Sequence, residues 1–159
     1  MDNLWAPWRL EYVQNADAID GCVFCNAAAG DDEEQLVVHR SECAFVLLNK
    51  FPYASGHLMV APYRHGANFA DLDDVEALEV HRLATQGIAA LAEVFRPEGC
   101  NLGWNVGRIA GAGIVDHGHL HVVPRWAGDT NFMPVLADVR VIPEHLVETR
   151  RKLASAWPA

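Results

Sequence analysis

The stretch IVDHGHLHVVPRW, residues 114–126, decides the fold because histidine recurs in it at every second position. On a β-strand successive side chains alternate between the two faces, so His117, His119 and His121 are predicted to project from one side. Leu120, which stands between two of them, then projects from the opposite, apolar side. Imidazoles titrate near neutral pH and bind transition metals, so three of them on one face of a strand indicate a chemical site.

The pattern around this strand predicts an antiparallel α+β domain. A long helix is expected over residues 73–95, with its apolar residues in one stripe and Asp71 as its N-cap. A C-terminal helix is expected over residues 143–157, opened by Pro143. Three strands precede the long helix and two follow it, and no βαβ alternation points to a doubly wound sheet. The predicted strands are residues 36–40, 43–50, 57–62, 100–106 and 118–125.

Length and composition are typical of one globular domain spanning residues 1–159, with residues 1–30 as an N-terminal arm. Of the 159 residues, 51% are hydrophobic and 21% are charged. No apolar run approaches the roughly 20 residues that a membrane helix needs, so we expect a cytoplasmic protein that does not bind membranes. The net charge of −9 argues against a nucleic-acid polymer as partner, because such proteins present a basic face to the phosphates. A small phosphorylated ligand is not excluded, since a pocket can be locally positive.

A glycine-rich loop leads into the histidines. Gly107, Gly111 and Gly113 lie in the segment NVGRIAGAGIVDH, and glycines let backbone N–H groups approach an anion closely. The segment is not a Walker motif, because no Gly-Lys-Ser/Thr follows it. Such a loop alone is often a simple turn, but before three histidines it indicates a phosphate held beside an imidazole. Arg108 and Arg125 are candidates for a local positive patch.

The segment CVFC places Cys22 and Cys25 at the spacing of half a tetrahedral zinc site or of a thiol redox pair. A thioredoxin-like pair would follow a strand and open a helix in a βαβ setting, which this sequence lacks. Two ordinary reduced cysteines remain the alternative to zinc.

Several segments together carry a family resemblance. HGHLHVV, residues 117–123, matches the pattern His-x-His-x-His followed by two apolar residues. With VLLNKFPYASGHLMVAPYRH at 46–65, AGAGI at 110–114 and PRWAGDTNFMPV at 124–135, the chain resembles the histidine triad (HIT) family of nucleotide hydrolases and nucleotidyl transferases. The resemblance is greatest to the diadenosine-polyphosphate phosphorylases and their bacterial relatives. It implies a five-stranded antiparallel sheet with one long helix packed on it and a C-terminal helix.

The resemblance also implies how such an enzyme would work. The middle histidine, His119, would attack the α-phosphorus of a nucleotide and form a nucleotidyl-histidine, which water or another acceptor then resolves. An imidazole suits this role because it is nucleophilic while neutral and leaves readily once bonded to phosphorus. Many family members carry glutamine where Gly113 stands, so the identity of the leaving group stays open. The substrate-binding residues that the resemblance implies are Asn49, Asn105, Gly111, Ala112, Gly113, Ile114, His119 and His121.

For the cysteine pair, the resemblance implies a structural zinc ion held by Cys22, Cys25, His65 and His117. Such a Cys₂His₂ site has no open position, so His117 would not serve as a general acid. No organic cofactor is implied, and the expected assembly is a homodimer. His57 is interpreted as a structural histidine beneath the active-site strand, and Trp126 either walls the nucleotide pocket or belongs to the core.

Three other functions compete with cleavage of diadenosine polyphosphates. An adenosine phosphoramidate hydrolase would use the same nucleophile on a different leaving group. A non-catalytic nucleotide sensor would have no need of His119. A metallo-β-lactamase-like hydrolase would require His-x-His-x-Asp-His, and this chain has Leu120-His121-Val122, with His121 and Val122 where the Asp-His should stand. Hydrolysis and phosphorolysis are not distinguished by the sequence.

Overall fold

The structure is a computed structural model that describes residues 21–66, 69–110, 114, 116–129 and 144–159. The expectations for Gly111, Ala112, Gly113 and Pro143, and for most of the N-terminal arm, lie outside these residues. The helices are α1 (Val23–Ala29), α2 (Asp74–Phe95) and α3 (Leu146–Ser155), and two short 3₁₀ helices cover Phe69–Asp71 and Arg108–Ala110. The strands are β1 (Val37–Arg40), β2 (Ala44–Leu48), β3 (Leu58–Pro62), β4 (Gly99–Trp104) and β5 (Leu120–Arg125).

The five strands form one antiparallel sheet in the order β1-β2-β3-β5-β4, which confirms the predicted fold class. β5 lies between β3 and β4, so His121 stands opposite Met59 on one side and Gly103 on the other. The strand that carries His121 is therefore an inner strand of the sheet, with a neighbour on each side.

The two faces of the sheet are covered differently. Helices α2 and α3 pack on one face, where the alternating apolar residues of the strands form the larger core cluster. On the opposite face α1 packs over β1, β2 and β3 through Phe24 and Ala27, and among the described residues this second cluster has no member from β4 or β5. Part of that face is therefore left for a binding site. The larger cluster includes Val46, Leu48, Leu58, Val60, Leu83, Leu91 and Val122.

Helix α2 begins at Asp74, one residue later than predicted, and its N-cap is Asp73 and not Asp71. The Asp73 carboxylate accepts a hydrogen bond from the Glu76 N–H, and the Glu76 carboxylate accepts one from the Asp73 N–H. This reciprocal capping box satisfies two backbone donors at once. Asp71 instead ends a 3₁₀ helix, and its carbonyl accepts a hydrogen bond from Arg64.

Helix α3 is shorter than predicted: it spans Leu146–Ser155 within the expected 143–157. His145 is the N-cap and accepts a hydrogen bond from the Val147 N–H. Arg150 donates from Nε to the Val37 carbonyl at 2.8 Å, so α3 covers the outer edge of β1. An edge strand protected in this way is less open to pairing with other chains.

Candidate active site and metal centre

The chain entering β5 carries the three histidines, although the strand itself starts only at Leu120. The Gly118 N–H donates to the Gly66 carbonyl and not to a neighbouring strand, which delays the start of β5. A side chain at position 118 would collide with the indole of Trp104, so glycine is required between the first two histidines. His119 and His121 nevertheless lie together, with ring centroids 4.7 Å apart, and the predicted alternation of faces is confirmed at this strand.

Cys22, Cys25, His65 and His117 meet on the α1 side of the sheet, and one ligand atom from each lies within 4.8 Å of the others. The Cys22 sulfur is 3.3 Å from Nδ1 of His117, and the Cys25 sulfur is 3.5 Å from Nδ1 of His65. Cys22 is the N-cap of α1 and Cys25 lies in its first turn, so the helix start presents both thiols to the two histidines. These are the four residues that the family resemblance implied as zinc ligands.

The donor set and its surroundings fit a zinc ion. The Nε2–H of His117 donates to the Pro62 carbonyl at 2.8 Å, which leaves the lone pair of Nδ1 directed to the cysteines. Such a partner on the far ring nitrogen fixes the tautomer of a metal-binding histidine. Burial, reinforced by the neighbouring Cys22, raises the pKa of Cys25, so a cation would be needed to hold that sulfur as a thiolate. Two thiolates and two imidazoles are a common tetrahedral zinc set.

Arg40, which the sequence analysis did not single out, holds α1 in place. Its guanidinium donates to the carbonyls of Ala27 and Ala28 at the end of the helix, at 3.0 and 2.7 Å, and to the carboxylate of Asp32 at 2.7 Å. The last carbonyls of a helix lack partners within the helix, and a cation there also complements the helix dipole. Arg40 thus fastens the cysteine-bearing helix to β1. Nothing in its sequence neighbourhood signals this role.

His119 is only 6% exposed and its tautomer is set by its own backbone neighbour. Its Nδ1–H donates to the His117 carbonyl at 3.0 Å, so Nε2 carries the lone pair. Burial lowers the pKa of His119, which keeps the ring neutral at physiological pH. The fully buried ring of Phe24 packs against it at a centroid distance of 4.5 Å. The arrangement gives a neutral, oriented imidazole of the kind a nucleophile requires.

His57 fixes the orientation of His121 through a chain of hydrogen bonds. The Tyr53 N–H donates to Nδ1 of His57 at 3.1 Å, so the proton of the neutral His57 ring sits on Nε2. That Nε2 lies 2.9 Å from Nδ1 of His121 and donates to it. His121, when neutral, therefore carries its proton on Nε2 and can act there as a hydrogen-bond donor. His57 is fully buried, in agreement with its interpretation as a structural histidine.

An open groove of about 440 Å³ begins at His121 and follows β5 over the part of the sheet that α1 leaves uncovered. Asn101 and Gly103 of β4 lie in its floor, and the turn at Tyr53 forms one wall. Its volume lies within the range of small-molecule sites. A larger surface depression between residues 31–36 and the start of α3 is lined by three carboxylates, which does not suit a phosphate. The groove is lined by Tyr53, Ala54, Asn101, Leu102, Gly103, Asn105, His121, Val123, Arg125 and Asp129.

Arg125 stands at the far end of this groove and is held from two sides. Its Nε and Nη2 donate to the two carboxylate oxygens of Asp129, at 2.5 and 3.0 Å, and Nη1 donates to the Asn101 side-chain oxygen at 2.8 Å. Hydrogen bonds from Arg125 hold the pKa of Asp129 below its usual range, so the pair stays charged. The sequence indicated Arg125 as a cation near the histidines but not Asn101 or Asp129, because neither residue type is distinctive in a strand or a turn.

The other residues singled out in the sequence lie in the groove, near His57, under α1 or on the surface. Asn105 lines the groove, whereas the Asn49 side-chain oxygen accepts a hydrogen bond from the Phe51 N–H on the other side of His57. Ile114 packs with the cluster under α1. Arg108 is exposed in its 3₁₀ helix, and Trp126 is half-buried and is not among the groove-lining residues.

Comparisons with known proteins agree with this arrangement. A family model described as the HIT domain matches residues 31–128. An AP-4-A phosphorylase from Mycobacterium tuberculosis is 39% identical over 165 residues, covering 99% of this chain and 85% of the relative. A zinc-bound histidine triad family protein from Mycobacterium smegmatis superposes with a TM-score of 0.69 at 26% identity, covering 86% of this chain and 93% of that one. A HIT family member from Bacillus subtilis gives a TM-score of 0.64 at 26% identity, with coverages of 86% and 94%.

Within the described part of the chain, every helix is too short or too polar to cross a membrane.

Proposed function

Because the chain belongs to the HIT domain family, we propose that it is an enzyme that cleaves diadenosine polyphosphates at an α-phosphate through a covalent nucleotidyl-histidine on His119. The observation that carries the proposal is the orientation of His119, whose Nδ1–H is held by the His117 carbonyl and whose Nε2 lone pair is left for attack. The M. tuberculosis relative, an AP-4-A phosphorylase, supports phosphorolysis as the form of the reaction.

In the first step Nε2 of His119 attacks the α-phosphorus and an N–P bond forms. The bond from that phosphorus to the bridging oxygen breaks, and its electron pair leaves with the departing nucleoside polyphosphate. The ring becomes positively charged, and the hydrogen bond from Nδ1–H to the His117 carbonyl stabilises that charge. The Nε2–H of His121, oriented by His57, donates to an α-phosphate oxygen as charge develops there.

In the second step an acceptor oxygen attacks the same phosphorus from the face that the leaving group has vacated. The N–P bond breaks and its electrons return to Nε2, which restores the neutral imidazole. With orthophosphate as acceptor, the products from diadenosine tetraphosphate are ADP and ATP. With water as acceptor they are AMP and ATP.

The proposed metal is zinc, held by Cys22, Cys25, His65 and His117. A bound zinc ion supplies a structural tie and no open coordination position. Zinc held by these residues would connect α1 to His65, in the loop after β3, and to His117, whose carbonyl orients His119. The zinc-bound relative from M. smegmatis supports this assignment.

The substrate contacts follow the same reasoning. Asn105 lines the groove beside His121, which supports a contact with the substrate phosphates. Asn49 is proposed to bind the transferred nucleoside, and the backbone of residues 111–114 to bind phosphate oxygens. A homodimer is proposed through β4 and α2, because the exposed edge strand carries Leu102, 47% exposed, and α2 carries Leu78, 69% exposed.

Product analysis tests the proposal. Purified protein is incubated with diadenosine tetraphosphate, with and without inorganic phosphate, and the products are separated by chromatography and identified by mass. ADP plus ATP formed only with phosphate is the expected result. AMP plus ATP without phosphate would establish a hydrolase with the same nucleophile. An absence of product under both conditions would refute diadenosine polyphosphates as the substrate class.

A further inference from the structure

We propose that the far end of the groove, at Arg125, binds the polyphosphate of the leaving nucleotide and makes the enzyme selective for substrates with a long leaving group. This inference rests on the proposed function and adds to it the residue that recognises the leaving group. Arg125 acts as a specificity-determining residue, and Asp129 and Asn101 position it.

The course of the groove supports this assignment. On this face of the sheet, a substrate bound at the triad can extend across β3 toward Asn49 or along the groove over β5 and β4. Toward α1 the surface is filled, since Phe24 is fully buried against His117 and His119. Asn49 lies beyond His57, across β3 from the groove. The groove over β5 and β4 runs in the opposite direction, so a substrate whose nucleoside contacts Asn49 would place its leaving group there.

The reach of the groove matches a nucleotide and not a small amine. Strand residues rise about 3.3 Å each, so four residues separate the Cα atoms of His121 and Arg125 by roughly 13 Å. An ammonia molecule leaving the α-phosphorus would remain beside His121. A chain of further phosphates would extend along the groove to the guanidinium.

The chemistry of Arg125 fits phosphate recognition. A guanidinium is planar and binds phosphate oxygens through paired N–H groups. Asp129 and Asn101 fix its plane before any ligand arrives, and the side chain still remains 47% exposed at the groove. Because Asp129 balances the charge, the site does not attract anions in general. It favours an anion that is carried to it by a covalent connection to a nucleotide already bound at the triad.

Binding measurements separate this role from catalysis. On a His119→Ala background, which prevents turnover, calorimetry compares the affinities for diadenosine tetraphosphate and for AMP. Arg125→Gln is expected to weaken binding of the dinucleotide by about tenfold to a hundredfold, the range of a charge-assisted hydrogen bond. Binding of AMP, which lacks the leaving group, is expected to change by less than about threefold. Arg125→Lys, which keeps the charge and loses the planar fork, should recover only part of the affinity.

Arg82→Gln is the matched control, because Arg82 is also about half exposed and paired with a carboxylate, Glu79, but lies on α2 away from the groove. It should leave both affinities unchanged. Equal losses for AMP and the dinucleotide in Arg125→Gln would indicate a general structural effect and overturn the proposal, as would no loss for either. If His119→Ala retains turnover, the nucleophile assignment fails, and the role of Arg125 is then decided by whether Arg125→Gln alone raises the KM for the dinucleotide.

Discussion

His117 and His121 stand two residues on either side of His119, and the structure places them in opposite environments. His117 is fully buried under α1, with its Nδ1 beside two cysteine sulfurs. His121 has its Nδ1 occupied by His57 and lines an open groove. One end of the triad is a closed cysteine-histidine cluster that is proposed to bind zinc, and the other end lines an open groove.

The difference shows that the period-two spacing determines only which face the rings share. The neighbouring elements then determine which nitrogen of each ring carries the proton. The Pro62 carbonyl fixes His117 with a bare Nδ1, and the donor from His57 fixes His121 with a protonated Nε2. Identical side chains are therefore prepared for different roles, one with a bare nitrogen that suits a metal and one with an N–H that suits a hydrogen-bond acceptor.

The largest expected effect comes from the residue between the two ends. His119→Ala should reduce the turnover number by at least about 10³-fold, because the variant lacks the proposed nucleophile. Turnover measured by product formation under saturating substrate tests this. His81→Ala, an exposed histidine on α2, is the control and should retain full activity. A His119→Ala variant with more than a few per cent of the parent rate would contradict the nucleophile assignment.

Substitutions at the two ends of the triad should affect different properties of the protein. Cys22→Ser should lose bound zinc and about 3 kcal/mol of stability, which lowers the melting temperature by about 6–12 °C in a domain of this size. His121→Ala should keep its zinc and its melting temperature while losing roughly 10²-fold in turnover. Elemental analysis, thermal unfolding with and without a chelator, and kinetics separate these outcomes. Zinc loss in His121→Ala would show that the two ends are not independent, and full zinc content in Cys22→Ser would refute Cys22 as a zinc ligand.

A smaller effect is expected from the residue that orients the open end. His57→Leu removes the donor to His121 and should lower turnover by about tenfold to a hundredfold, since misorientation of a reacting group costs rates of that order. His57→Gln retains an N–H donor and should recover part of the loss. The KM for the dinucleotide should change little in both variants. Equal kinetics in the Leu and Gln variants would mean that His57 serves packing alone.

The sequence predicted the sheet and the long helix because each depends on a regular spacing, and the family resemblance implied the cysteine-histidine cluster that the structure brings together. It did not predict α1, because seven residues give no recognisable stripe and Arg40 stabilises the helix from a distant strand. Nor did it place the start of β5, which depends on a contact between Gly118 and Gly66.

One error could have been avoided from the sequence. Asp71 and Asp73 both resemble helix N-caps, but only Asp73 is followed three residues later by a glutamate, Glu76, as a capping box requires. The tautomers of His117 and His121 could not be predicted, because their partners are Pro62 in β3 and His57, the residue before that strand.

The smallest expected effect concerns the ion pair between Arg64 and Glu76, which lies next to the proposed zinc ligand His65. Arg64, which precedes the proposed ligand His65, donates to Glu76 in the capping box of α2 at 2.6 and 2.8 Å. Glu76→Gln should reduce stability at pH 7 by about 1 kcal/mol, because the amide oxygen can still accept from the Asp73 N–H but the charge that pairs with Arg64 is lost. It should weaken zinc binding slightly and leave the affinity of the groove for ligands unchanged.

The pH dependence of the stability difference between the parent protein and Glu76→Gln tests the role of this ion pair most sharply. Hydrogen bonds from Arg64 hold the pKa of Glu76 below its usual range. The stabilisation is therefore present above the ordinary glutamate pKa of about 4.3 and is lost as the pH falls through the lower pKa of the folded state. The gap between parent and Glu76→Gln should narrow below about pH 4.3 in denaturant unfolding experiments. Glu148→Gln, which breaks a more exposed pair with Arg151, should show a smaller gap at every pH; an equal gap would mean that burial of Glu76 at the closed end contributes nothing.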